Sequence, residues 1–146
     1  MLKKYFSLTS LMVLIACGFC FQVAIAQEEA EKPTTLPADG GEPGKAYMEY
    51  CKAMTDGKMD ILKNLVSSDR AKQMDSPDFK EMFPMIQSMM AKDIKVTGGT
   101  MTSKEANLTA EGKDSMGGSV TKGEIHMVLE DKQWKVEKDS WKSETK

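Results

Sequence analysis

The spacing of hydrophobic residues in this chain changes period once: every three or four residues from Lys45 to Met90, and every second residue beyond Lys92. From Lys45 to Met54, Ala46, Tyr47, Tyr50, Cys51 and Met54 share one helical stripe, and Asp56-Gly57 ends it because Gly takes the left-handed conformation without steric cost. Met59, Leu62, Leu65 and Val66 predict a second helix over Lys58 to Val66. Ser67-Ser68-Asp69 supplies capping oxygens for a short third piece through Met74. Ser76-Pro77-Asp78 reads as a fourth helix start, with Ser as cap, Pro at the first helical position and an acid facing the positive end of the dipole. The stripe of that helix is Phe79, Met82, Phe83, Ile86, Met89 and Met90. Pro84 has no amide hydrogen to bond the Lys80 carbonyl, which predicts a break costing about 3 kcal/mol relative to Ala.

Alternation then picks out Ile94 and Val96, Ala106 to Ala110, Ile125 to Leu129, and Trp134 with Val136, each interleaved with polar residues. These are four antiparallel strands, separated by Gly-containing bends and by Glu130-Asp131-Lys132-Gln133. Helices first and strands afterwards predict an α+β domain in which three to four N-terminal helices pack on one face of a curved four-stranded antiparallel sheet.

Upstream of Lys45 the pattern is of another kind. Lys3 and Lys4 precede an apolar run from Leu11 to Ala26, the layout of an export signal, and the run is short for a membrane-spanning helix. Ala24-Ile25-Ala26 followed by Gln27-Glu28-Glu29 fits signal-peptidase cleavage between Ala26 and Gln27, which releases a chain to a bacterial periplasm or the medium. Leu14-Ile15-Ala16-Cys17 resembles a lipobox, in which Cys17 is lipidated and the protein is a membrane-anchored lipoprotein; membrane contact is expected only in that case. Residues 27–44 carry Pro33, Pro37, Pro43, Gly40-Gly41 and several acids without an apolar period, and read as a disordered linker. Residues 45–146 are then a single domain of about 100 residues, enough for one core.

Charge removes one class of function. From Lys45 onward there are 17 Lys plus Arg against 17 Asp plus Glu, and Arg70 is the sole arginine, so no nucleic-acid partner is expected. Cys17 and Cys20 lie in the signal, leaving Cys51 on a predicted apolar helix face, where a small buried hydrophobe is the ordinary role.

Two stretches carry a resemblance. "AYMEYCKAMTDGKMDILKNL" places Ala46, Tyr50, Ala53, Gly57, Asp60, Leu62 and Leu65 at the spacing of the opening helices of exported nuclear transport factor 2-like domains, and "EIHMVLEDKQWKVEKDSW" resembles their closing hairpin. "EANLTAEG" is similar to the small-residue strand of that group, whose members have a cystatin-like α+β fold and include lumazine-binding-like and polyketide cyclase-like domains. The resemblance implies a cone-shaped apolar pocket between helices and sheet, lined here by Tyr47, Tyr50, Met54, Phe83, Ile86, Met89, Val96, Leu108, Ile125, Met127 and Trp134. Family members often have Asp-Gly before Lys-Trp; Lys132 stands where the Gly would be, so a longer or differently built turn is expected.

Catalytic residues cannot be matched onto this chain. An isomerase or cyclase needs a carboxylate among apolar groups and a donor such as Tyr. Tyr47 and Tyr50 are candidate donors, Asp60 and Asp93 the least implausible bases, and the other acids fall on outer strand faces, in turns or at helix ends. His126 alternates away from Ile125 and Met127, toward the polar face. Met82, Met85, Met89 and Met90 admit a Cu(I) site of soft thioethers, with core or pocket lining as the plainer role. Zinc spacing is absent, and no metal or cofactor is expected. The leading expectation is a non-catalytic domain that binds a small apolar ligand or an envelope protein; an isomerase or cyclase and a Cu(I) module are the alternatives. Homodimerisation through the outer sheet face stays open.

Overall fold

The fold begins before the expected domain boundary. In the computed structural model, which describes residues 31–116 and 118–143, the order is β1 (Thr34–Leu36), α1 (Gly41–Thr55), α2 (Met59–Leu65), α3 (Ser68–Met74), α4 (Pro77–Met89), β2 (Lys92–Met101), β3 (Glu105–Lys113), β4 (Val120–Glu130) and β5 (Gln133–Ser143). The expected signal, its Ala26–Gln27 cleavage site and Cys17 lie outside the described residues.

Four helices and an antiparallel sheet make this an α+β chain, but the sheet has five strands, in the order β1-β2-β3-β4-β5. The extra strand comes from the segment expected to be a linker. Thr34, Thr35 and Leu36 pair with Met101, Thr100 and Gly99, while Glu31 accepts hydrogen bonds from the Ser103 amide at 2.9 Å and hydroxyl at 2.5 Å. Helix α1 then starts at Gly41 rather than Lys45, with Pro43 and Gly44 buried. Close approach requires the small residues here: a Cβ on Gly44 would meet the Asp39 carbonyl oxygen at 2.0 Å, and one on Gly40 (φ 74°) would meet Val96 at 2.8 Å. No local period marks a three-residue strand that exists because β2 offers it an edge.

Caps match the sequence more closely. Ser67 and Ser76 side chains accept from the Arg70 and Phe79 amides, and Gly57 closes α1 at φ 67°. The expected break at Pro84 does not occur, and α4 runs through it. Pro84 and Lys80 are both exposed, so water can solvate the carbonyl that the proline leaves unbonded. The inward stripe of α4 is also narrower than expected. Phe83 is buried and Phe79, Ile86 and Met90 partly so, whereas Met82 and Met89 lie about 70–90° around the helix and are exposed.

The core forms where α1 crosses the inward face of the sheet. Tyr47, Tyr50, Cys51 and Met54 of α1 pack with Leu62, Val66, Met74 and Phe83 against Val96, Ala106, Leu108, Ile125, Met127 and Val136. The edge of β5 is partly covered: Val66 bridges Val136, whose carbonyl accepts the Ser67 amide. Glu130 accepts from the Ser68 amide and hydroxyl, tying the β4–β5 hairpin to the start of α3.

That hairpin departs from expectation in the opposite direction. Glu130 pairs with Gln133, so the loop is only Asp131-Lys132, and both residues have positive φ (51° and 63°), as a type I′ turn demands. Tight pairing on either side imposes the turn on Lys132 despite its Cβ. Lys132→Gly is therefore expected to raise stability by about 1 kcal/mol, read as a higher urea midpoint at unchanged slope.

Candidate functional site

A bulge determines which chemistry faces inward. Between His126 and Met127 the β4–β5 register shifts, so Met127 opposes Val136 while His126 opposes Lys138 and Ile125 opposes Asp139. The additional residue on β5 reverses its alternation. Simple alternation from Val136 would turn Asp139 and Trp141 outward; with the bulge, both join the helix side of the sheet. The expectation that acids stay on outer faces, turns and helix ends is corrected at this position.

Asp139 is buried to 14% side-chain exposure beside Arg70 at 24%, with Oδ1 2.9 Å from the guanidinium Nη1. The approach is off-axis, so this contact is an ion pair without a well-formed hydrogen bond. The other guanidinium nitrogen, Nη2, donates to the Tyr50 hydroxyl at 2.7 Å, and Tyr50 stacks on Tyr47 with ring centroids 5.8 Å apart. The single arginine of the chain is thus spent internally, joining α3, α1 and β5. A hollow of about 370 Å³ lies outside it, bordered by Ser67, Gln73 and Lys138 as well as the ion pair.

Burial dominates the titration of the adjoining groups. It raises the Tyr47 and Tyr50 hydroxyls above the usual phenol range, and the Asp139 charge pushes both in the same direction. Burial likewise pushes the Cys51 thiol up to about 12, against the opposing effect of the Tyr47 hydroxyl nearby. The Tyr47 hydroxyl makes no hydrogen bond of good geometry, its Cys51 contact included. None of these groups is poised to ionise near neutrality.

The other sequence candidates are dispersed. Asp60 is exposed; Asp93 is exposed too, and its bond to Lys113 at 2.8 Å holds its carboxyl below the usual range, opposite to what a general base needs. His126 lies on the outer face as expected, between Asn107 (Nδ1 to Oδ1, 2.9 Å) and Glu137 (Nε2 to Oε2, 3.1 Å). That face carries a shallow groove of about 530 Å³ bordered by Thr100, Thr109, Glu124 and Lys138. Tyr47, Tyr50, Met54, Phe83, Val96, Leu108, Ile125 and Met127 fill the core; Ile86 and Trp134 are partly buried against it, and Met89 is 68% exposed. Met82 and Met85 are exposed beside it. Among the described residues, no three His, Cys, Asp or Glu side chains converge as metal ligands, and no helix is long and apolar enough to cross a membrane.

A cleft that sequence reasoning did not place opens between α1, the end of α4 and the start of β2. Its volume is about 780 Å³; Met48, Cys51, Met90, Ala91 and Ile94 supply apolar lining, and Lys52, Lys92 and Gln87 are among its polar residues. Gln87 fixes this geometry. Its amide donates to the Met54 and Thr55 carbonyls at 3.0 and 2.8 Å, satisfying the end of α1 and holding α4 beside it. Met48 at i−3 from Cys51 was the available signal, since a methionine just off the core stripe of α1 stands at the border of whatever that helix leaves uncovered.

No family model, no characterised protein sequence and no solved structure matches the chain.

Two outcomes follow from the polar cluster. Arg70→Met is expected to cost about 2–3 kcal/mol because it strands the Asp139 carboxylate and the Tyr50 hydroxyl, while Arg70→Met combined with Asp139→Leu should cost less than the two single changes added together. Cys51, Tyr47 and Tyr50 all have folded pKa values above their unfolded ones. The Cys51 contribution to stability is full below pH 9 and is lost as pH rises through about 12, whereas the contributions of the two tyrosines hold to pH 10 and fall progressively above it. Alkaline denaturation should follow that course, and folded protein at pH 8 should resist iodoacetamide at Cys51 while urea-unfolded protein reacts.

Proposed function

We propose that this is an exported, non-catalytic domain, similar in its layout of helices over a sheet to nuclear transport factor 2-like domains, that binds one small apolar ligand in the cleft between α1, α4 and β2. The observation that carries the reading is the cleft itself. Its volume is within the range of small-molecule sites, thioether and aliphatic groups provide adaptable apolar lining, and polar side chains are available to orient a ligand. Export accords with the signal-like N-terminus; in the envelope such a domain carries or senses its ligand. Met48 at 40% exposure and Ile94, partly buried, give the ligand apolar surface to cover.

An acid–base enzyme is the second reading, and one observation favours it: Asp139 stands near two tyrosines where helices meet sheet. Arg70 neutralises that acid and already occupies the Tyr50 hydroxyl, which leaves no free pair of proton donor and acceptor. Asp139→Asn separates the readings, because an enzyme would lose turnover and a binder would keep its affinity.

Native mass spectrometry with decanol, a medium-chain probe, is expected to show a one-to-one complex. Met48→Lys should weaken that complex by about tenfold or more, as a cation replaces apolar contact, without loss of folding. Absence of any complex at millimolar probe would refute the ligand reading.

A further inference from the structure

A second hollow, of about 340 Å³, adjoins the cleft at the same end of the sheet, with Ala91 on the border of both, and is otherwise bordered by Met89, Met116, Thr121, Trp141 and Ser143. It contains a mismatch. Thr121 is 4% exposed, and its Oγ1 has no hydrogen-bond partner among the described residues; the Nε1 of Trp141 is likewise buried and unpartnered. Buried polar atoms are ordinarily satisfied, and two orphans bordering one hollow call for a common cause.

Packing explains where they sit but not why they are polar. The β5 bulge turns Trp141 inward, opposite Gly123, and the indole fills the space above that glycine: a Cβ on Gly123 would meet its ring atoms at 2.9–3.0 Å, and one on Gly112 would meet Cζ3 at 3.2 Å. Thr121 pairs with Gly112 on one side and Ser143 on the other. Valine has the branched shape of threonine and would fill the same place without an orphan hydroxyl.

Indole N–H only donates, and a threonine hydroxyl can donate as well. Both atoms are sealed from solvent, so a guest meets them only when side chains at the border shift, and two donors then suit an uncharged acceptor on an apolar body. The Asp114 carboxyl, also on the border, disfavours an anion. Met89 at 68% and Met116 at 96% exposure are free to move aside and close over a guest. We infer that this hollow is a binding site, adjoining the α1/α4/β2 cleft at Ala91 but with its own polar groups, for a small apolar molecule bearing one carbonyl-type acceptor, a ketone or an ester, whose oxygen takes up the donors of Thr121 and Trp141.

The test compares acetophenone with toluene, which share a ring and differ in the carbonyl, by following the two indole N–H signals of the whole protein in proton–nitrogen spectra. Acetophenone should bind about tenfold more tightly than toluene and move the Trp141 signal downfield, with Trp134 as the internal control. Thr121→Val should fold with equal or greater stability and narrow the preference to about twofold. Met48→Lys should leave the Trp141 response unchanged, so failure of the cleft and failure of this site are told apart. Equal affinity for the two probes, a response confined to Trp134, or no response at millimolar acetophenone would overturn the inference. So would a Thr121→Val protein that is destabilised, since its hydroxyl would then have had a partner already.

Discussion

Burial of α1 against the inward face of the sheet is the contact on which the rest of this molecule depends. Tyr47, Tyr50, Cys51 and Met54 give that helix a continuous apolar face, and Leu108, Ile125, Met127 and Val136 give the sheet its own. Full burial of a single large side chain of this kind contributes about 1.5–3 kcal/mol, so this joint outweighs any polar contact in the fold. The other elements are placed by reference to it. Gln87 hangs α4 on the last carbonyls of α1, Arg70 ties α3 to α1 and β5, and Val66 covers part of the edge of β5. The α1/α4/β2 cleft takes in a part of the α1 surface, at Met48, Cys51, Lys52 and Thr55, that neither the sheet nor α4 covers.

Polar groups near this joint are arranged so as to be quiet. An isolated carboxylate at the Asp139 position would carry a heavy desolvation cost, and the nearby guanidinium offsets it. With that charge held in place, ionising Tyr47, Tyr50 or Cys51 would add a second negative charge in a poorly solvated region, which is why all three are driven toward their neutral forms. An active site separates its acid from its base in pKa and leaves both reachable. Here Tyr47, Tyr50 and Cys51 are all shifted in the same sense, and the Tyr50 hydroxyl is already taken by Arg70.

How much of this could be read along the chain depends on how local each cause is. The change of period, the serine caps before α3 and α4, the glycine after α1 and the outward direction of His126 all follow from residues within a few positions of one another, and the fold reproduces them. Leu36 could not be read as part of a strand, because its pairing partner Gly99 is remote in sequence and Pro37 follows it directly. Lys132 misled because the turn rule is statistical, whereas the register of Glu130 with Gln133 is obligatory once β4 and β5 pair. Met82 and Met89 satisfied the helical period yet missed the core, since the width of a buried stripe is set by the neighbour and not by the helix.

The bulge opposite His126 is the most consequential non-local feature. By adding one residue to β5 it exchanges the faces of everything beyond Glu137, so an alternation that is correct at Val136 becomes inverted at Asp139 and Trp141. Both groups that give the inward face its polar character after Val136 arrive by that single step. Asp139 meets a matching cation there. Trp141 meets two glycines that accept its ring and, among the described residues, no group that accepts its N–H. A strand that had merely drifted out of register would be expected to bury mismatches throughout. This one seats a large indole closely and sets its carboxylate beside a cation, while the indole nitrogen and the Thr121 hydroxyl join the Tyr47 hydroxyl among the buried polar atoms with no partner among the described residues.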